Sequence, residues 1–504
     1  MSETTKSEMI PTGEATAILP ADRPSDTPIT VIGTQAIRDG FDAMSLQQAR
    51  NSRSAPGVTE VVINPDAHAG YGAPIGCVLV SPTHIYPGPV GVDIKCSMSL
   101  LQLDLPAEAV ADVQVRRAII NAIGERVPTG AGKGQRSVKK ARRVATDIGA
   151  IAVTHGASAA VCAALGIPEE WAMRCEDAAH LGHDGTAEAL ERRLEKLRSG
   201  SMGGERTRLD FAAKIAQLGS YGGGNHFGEC EIVEVGESQR AKDVAKTFGL
   251  LDGRVAFLSH CGSRGFGYQL ADGQFRTLQN QFRTWNIPFP ADDKQLVYAP
   301  LGTPEADAYL DDMALGGNFA TVNHMLINAL VLEAFQEVIP GATGHLVYFI
   351  SHNIARRELL DGKMVWVHRK GATRAFPAGH PGLKGTPFET TGHPILLPGN
   401  PQAGSVVMVA DAGARLSCFS VNHGAGRAKG RKAAIREFNQ KSIDQSFVDC
   451  DILTNCRQYP RDEAPAAYKN FDEVLRSVTA AGLASEVARL RARFVIKDAD
   501  KADD

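Results

Sequence analysis

Apolar, β-branched runs that stop at glycine, histidine, asparagine or aspartate constrain this chain more than any other feature. VAFLSH (255–260), HLVYFI (345–350) and SVVMVA (405–410) have the length and residue types of buried strands. They alternate with stretches of helical character, such as 323–337 and 471–493. The expectation is one large mixed α/β (α+β) domain carrying a helical insertion. Residues 1–27, rich in Ser, Thr, Pro and Glu, read as a flexible N-terminal arm. Residues 28–497 read as the domain, and DADKADD at 498–504 as an acidic C-terminal tail.

Bulk properties narrow the class. The net charge of −3 over 504 residues gives no global cationic field, so any nucleic-acid surface must be a local patch. The strongest such patch is PTGAGKGQRSVKKARRVA, 128–145. Its Gly132-Lys133 does not meet the phosphate-loop spacing, because Gly134 follows the lysine. No apolar run approaches the ~18 residues of a membrane span. The acid-bearing N-terminus does not resemble a signal peptide, which makes the cytoplasm the default expectation. Nine cysteines, an odd number with no CxxC pair, argue against a disulfide framework or a four-cysteine zinc site.

Six motifs gather the chemistry. GPVGVDIKCSM (88–98) sets Asp93 three residues before Cys96, a carboxylate and a thiolate that could hold Mn, Fe or Zn. LGSYGGGNHFGEC (218–230) brings a backbone without side chains up to Asn225, His226 and Glu229. VAFLSHCGSRGFG (255–267) delivers His260 from a strand end, with Arg264 in a glycine turn suited to an anion. HLVYFISHNIARREL (345–359) repeats that arrangement at His352-Asn353, after which a helix is expected. Two histidines delivered alike suggest a shared metal centre. VWVHRKGATRAFPAGH (365–380) concentrates His368, Arg369, Lys370 and Arg374 as for a phosphate-rich ligand. SCFSVNHGAGRAKGRKAAIREF (417–438) runs a strand to His423, then a glycine loop and a helix start that could cradle an anion. An imidazole there could attack phosphorus and hold a covalent nucleotide.

VDI.C, GGGNHF.E, HCGSRG, SHN, HRKGATRAF and HGAGR, in this order, resemble the motifs of the RtcB RNA ligases, and the resemblance runs from about residue 60 to Lys497. It implies a distinctive α/β fold and two Mn²⁺ ions bridged by Cys96. Asp93 and His226 would complete one site, and His260 and His352 the other. His423 matches the histidine that becomes guanylylated. The implied nucleotide pocket takes Asn225, His226, Phe227, Gly228 and Glu229, then His352 and Asn353, and then Pro398, Gly399, Asn400, Pro401 and Ser405. His423, Gly424, Ala425, Gly426, Tyr468 and Lys497 complete it.

The implied activity is GTP- and Mn-dependent. It joins an RNA 2′,3′-cyclic phosphate or 3′-phosphate end to a 5′-hydroxyl end through an RNA-(3′)pp(5′)G intermediate, in tRNA splicing or RNA repair. An archease-type activator is an implied partner. Two departures bear on nucleotide choice: PGNPQ stands where the family reads PGSMG, and Asp498 and six further residues follow the final lysine. A binuclear phosphoesterase would use the same metal ligands but give His423 no role. A non-catalytic RNA-binding homologue would not need the intact HGAGR.

Overall fold

The computed structural model describes residues 9–200 and 209–498. Two large sheets organise them. The first has seven strands in the order Ile10–Pro11, Thr16–Leu19, Ile29–Ile32, Glu60–His68, Ile75–Ser81, Lys363–Lys370 and Asn353–Leu360. The second has eight. Its main path runs Gly344–Ser351, Ser97–Pro106, Arg254–Cys261, Phe227–Val235, Ala484–Lys497, Gly404–Ala410 and Pro394–Asn400, and Leu453–Thr454 pairs beside Ala484–Lys497.

VAFLSH, HLVYFI and SVVMVA all lie in the second sheet and are almost wholly buried. Its other side is filled by a 35-residue helix, Pro304–Val338, which contains the expected 323–337 stretch. Thr303 caps this helix by accepting the Ala306 N–H, and Pro304 occupies the first turn, where its missing N–H costs nothing. The helix is buried on nearly every side over its middle, as a helix inside a large core must be. The expected helical insertion contains Val113–Gly124, Thr146–His155, Ala159–Leu165, Ala187–Ser199 and Phe211–Ile215, between strands Ser97–Pro106 and Phe227–Val235. All nine cysteines are free.

Four expectations need correction. From residue 9 the N-terminal stretch is not an arm: Thr16–Leu19 pairs with Ile29–Ile32 and buries Ala15, Ala17 and Leu19. Alternation of small apolar with polar residues was hidden there under a disorder-like composition. Residues 1–8, and 499–504 of the expected tail, lie outside the described residues. The 471–493 stretch is helical only over Phe471–Ala480. Gly482, at φ +68, ends it, and Ala484–Lys497 continues as a strand. No helix follows His352, because NIARRELL is itself a strand, paired with Lys363–Lys370. Nor does a helix start directly after HGAGR; the short helix Arg431–Glu437 begins several residues later, leaving the loop's own backbone to face the cleft.

Candidate active site

The register of the eight-stranded sheet builds the site. Cys96 immediately precedes Ser97–Pro106, and His226 immediately precedes Phe227–Val235. His260 is the penultimate residue of its strand and pairs with Met98 on one side and Phe227 on the other. Ser351 pairs with Ser97, so His352 emerges beside Cys96. Four potential ligands thus leave one edge of four adjacent strands. His352 is also the single residue between the last strand position of one sheet and the first of the other.

The side chains converge. Cys96 Sγ is 3.2 Å from His260 Nε2 and 3.5 Å from His226 Nε2. His226 Nε2 is 3.0 Å from Asp93 Oδ2, and His260 Nε2 is 3.3 Å from His352 Nε2. Two ligand groups result, Cys96–His260–His352 and Asp93–Cys96–His226, with Cys96 common to both. His226 Nδ1–H donates to the Tyr221 carbonyl at 2.8 Å, and His260 Nδ1–H to that of Asn225 at 3.1 Å. Carbonyls only accept, so both Nε2 atoms point lone pairs inward, the tautomer of a metal-binding imidazole. Burial, then the neighbouring imidazoles, push His260 and His352 well below the usual histidine range. Burial and the Asp93 carboxylate push the Cys96 thiol well above its usual value. Facing lone pairs with a thiol among them form a donor set that a cation would relieve, so these residues fit divalent metal.

Residues that the motifs did not single out hold this edge in place. Asn323 of the long helix donates to the Ser220 and Gly262 carbonyls and accepts the Gly219 and Ser220 N–H groups. His324 Nε2–H donates to the Cys261 carbonyl. Their only sequence signal was polarity inside an otherwise apolar helix.

His423 stands beside the ligand cluster, its ring centroid 4.8 Å from that of His352. Its Nδ1–H donates to Asp66 Oδ2 at 2.6 Å, and its backbone N–H donates to the same oxygen at 3.2 Å. Asp66 is fully buried on the Glu60–His68 strand. This pairing leaves Nε2 as the imidazole's free lone pair. The sequence reading missed Asp66, which precedes His423 by more than three hundred residues. Two glycines are required here. Gly426, at φ +70, passes so close to Asp66 that a Cβ would lie 2.2 Å from its carbonyl oxygen. At Gly371, φ +61, a Cβ would lie 2.3 Å from Ile75 and 3.1 Å from His423.

His423 lines a cleft of about 600 Å³ with Asn225, His260 and the Gly424–Ala425–Gly426 loop. Phe227, Pro398, Gly399 and Tyr468 line both this cleft and a narrow inner cavity of about 30 Å³. Glu229, Asn400, Pro401, Ser405, Tyr459, Glu463, Val495 and Lys497 complete the inner cavity. Lys497 Nζ is 3.0 Å from Glu463, which also accepts the Tyr468 hydroxyl at 2.6 Å. Burial alone would raise Glu463, but Lys497, Arg431 and Arg427 hold it down to about 2. Burial pushes Glu229 up to about 8.

The remaining sequence candidates have other places. Asn353 lies behind the site, donating to the Asp93 carbonyl and accepting the Gly371 N–H. Gly228 sits in its strand against Tyr221. Asn400 turns its Oδ1 back onto the Gln402 and Ala403 N–H groups, so it caps its own turn. The basic HRKGATR cluster is internal: Arg369 forms a two-pronged pair with Glu358, Lys370 donates to backbone carbonyls including that of Ala73, and Arg374 pairs with Glu176. Arg264 donates to the carbonyls of Gly130 and Lys133. In the 128–145 patch, Lys139, Lys140 and Arg142 meet Glu125, Glu337 and Glu333.

Comparison with known proteins gives one answer. Residues 48–498 match the family model described as tRNA-splicing ligase RtcB. The chain is 33% identical to the tRNA-splicing ligase RtcB of Thermococcus kodakarensis, over 90% of this chain and 91% of the relative. It is 34% identical to that of Pyrobaculum aerophilum, with the same coverage. With that of Pyrococcus horikoshii it shares 39% over 61% of this chain and 36% of the relative. The strand-edge ligand cluster, the histidine held by a buried carboxylate and the paired cavities thus sit within a chain that belongs to the RtcB family.

Proposed function

We propose that this protein is a GTP- and manganese-dependent RNA ligase. It joins a 2′,3′-cyclic phosphate or 3′-phosphate end to a 5′-hydroxyl end by way of a guanylylated His423. The observation that carries this reading is the position of His423, whose Nδ1 is held by Asp66 beside a five-residue ligand cluster, in a cleft that shares Phe227, Pro398, Gly399 and Tyr468 with an inner cavity.

Asp93, Cys96, His226, His260 and His352 would hold two Mn²⁺ ions, with Cys96 common to both. Bound there, such ions would neutralise phosphate charge and orient the reacting phosphoryl groups. The inner cavity takes the guanine, with the Glu229 carboxylate accepting from its N1–H and N2–H. Asp66 fixes the imidazole tautomer, so that His423 Nε2 attacks the α-phosphorus of GTP and pyrophosphate leaves. Asp66 then stabilises the positive charge that develops on the ring. The RNA 3′-phosphate, freed by opening of the cyclic phosphate, takes the GMP from His423. The 5′-hydroxyl attacks that activated end and expels GMP. Positioning and electrostatics carry most of such phosphoryl transfer. An archease-type activator is part of this reading, as is a role in tRNA splicing or RNA repair.

Incubation with GTP, Mn²⁺ and RNAs of defined ends tests it. Joining is expected for a 3′-phosphate with a 5′-hydroxyl and not for a 3′-hydroxyl with a 5′-phosphate. Release of phosphate without joining would favour the binuclear phosphoesterase instead.

A further inference from the structure

The Glu60–His68 strand breaks its register with Ile75–Ser81 between Ile63 and His68, which turns the backbone there toward other partners. Lys469 Nζ donates to the Pro65 carbonyl at 2.8 Å and to the Ala67 carbonyl at 2.7 Å. The carbonyl between them, that of Asp66, accepts from His68 Nδ1 at 2.9 Å. A carbonyl only accepts, so the ring proton of His68 sits on Nδ1 and Nε2 keeps its lone pair. Asp66 thus fixes two imidazoles in the same tautomer, His423 through its carboxylate and His68 through its backbone. His68 lines the same cleft as His423, and among the described residues its Nε2 has no hydrogen-bond partner. Burial, with His423 and Lys469 nearby, pulls His68 down to about 4 against the opposing pull of Asp66, so the ring is uncharged near neutral pH.

The ligation steps differ in what they ask of such a group. Guanylylation of His423 and transfer of GMP to the RNA 3′-phosphate take no proton from a hydroxyl. Opening of a cyclic phosphate expels a 2′-alkoxide and so needs an acid, which an imidazole without an Nε2–H is not. Sealing needs a base and no acid: the 5′-hydroxyl must lose its proton, whereas GMP leaves as a stable phosphate. In-line displacement sets the 5′ oxygen opposite the departing GMP, so His423, which delivered that GMP, stands on the leaving side. Among the other groups that line the cleft, Asp42 caps the Ala43–Ser54 helix by accepting the Ser45 N–H at 2.8 Å. His260 turns its Nε2 into the ligand cluster, and the Asn225 amide takes no proton. His68 is the acceptor that remains.

We propose that His68 is a catalytic residue of the sealing step, its Nε2 taking the proton of the RNA 5′-hydroxyl. This rests on the ligase reading above. The 5′ oxygen bonds to the 3′-phosphorus, the bond from that phosphorus to the GMP oxygen breaks, and the electron pair leaves with GMP. The hydroxyl proton passes to His68 Nε2 and from there to solvent. The Asp66 carboxylate and the phosphates of the bound RNA favour the imidazolium that forms in passing. The Lys469 contacts to both flanking carbonyls hold the strand end, and with it the ring, in place for the transfer.

The test follows each step separately in the Mn²⁺-loaded protein, with GTP, an RNA ending in 3′-phosphate and an RNA beginning with 5′-hydroxyl. His68→Ala should form the His423 adduct and hold metal as the wild type does, yet accumulate RNA-(3′)pp(5′)G. Its rate constant for sealing should fall roughly 10²- to 10⁴-fold. His68→Gln keeps a side chain that can hydrogen-bond the Asp66 carbonyl but takes no proton, so it should show the same block. Sealing at the wild-type rate in either variant overturns the proposal, and recovery in His68→Gln alone would make the residue structural. Loss of metal or of the His423 adduct in both variants also overturns it, because His68 would then hold the site together rather than take a proton. If the wild type itself forms no RNA-(3′)pp(5′)G, the ligase reading fails.

Discussion

At the scale of single residues, Asp66 and Cys96 make the sharpest demands. Asp66 receives both N–H groups of His423 on one oxygen, so Asp66→Asn keeps the shape but can present an amide N–H to the ring. The wrong tautomer would then face the cleft. Guanylylation should slow by roughly 10²- to 10⁴-fold, comparable to the loss of acid–base assistance, with metal content unchanged. Single-turnover labelling together with metal analysis checks both halves. Cys96 belongs to both ligand groups, whereas His260 and His352 belong to one. Cys96→Ala should therefore lose about twice the metal lost by His260→Ala or His352→Ala. Equal losses, read by elemental analysis of the purified variants, would argue against a shared thiolate. The clustered histidines were legible in the sequence because His260 and His352 end apolar runs and His226 follows three consecutive glycines. Asp66 was not, because a buried carboxylate within INPDAH carries no glycine signature and meets His423 only through the tertiary fold.

At the scale of elements, the glycine-rich motifs are strand ends, and their apolar runs are the strands that carry them. The basic motif 368–374 shows how composition misleads. Arg369 is 1% exposed and bonds both oxygens of Glu358 across paired strands, with Ser420 as a further acceptor. Removing one member leaves the other buried and charged, so Arg369→Ala should destabilise the protein by about 3–5 kcal/mol. Urea unfolding followed by circular dichroism measures this, and a loss under ~1 kcal/mol, the range of exposed ion pairs, would contradict a buried structural role for Arg369. The misread elements share a cause. ASEVARLRARFVIK and NIARRELL contain residues that favour helices, but the first is held as strand by partners distant in the chain, and the second by the strand that follows it across the Asp361-Gly362 hairpin turn, whose signal the helical composition masked. At the N-terminus the same pairing turns a disorder-like composition into the edge of a sheet.

At the scale of the whole molecule, the order of the motifs along the chain was enough to indicate a family, and residues 48–498 match it. Less legible was how one sheet edge, one inter-sheet residue and one loop from the far end of the chain come within a few ångströms of each other, because that depends on two sheets meeting at His352. The joining of cavity, nucleophile and ligand cluster is the central claim, and it predicts a covalent intermediate at a single atom. Mass spectrometry of the protein after incubation with GTP and Mn²⁺, with peptide mapping under conditions that preserve phosphoramidates, measures it directly. The account predicts one GMP on His423, absent from His423→Ala and from protein stripped of metal. GMP on any other residue, or efficient RNA joining with no adduct on His423, would contradict it.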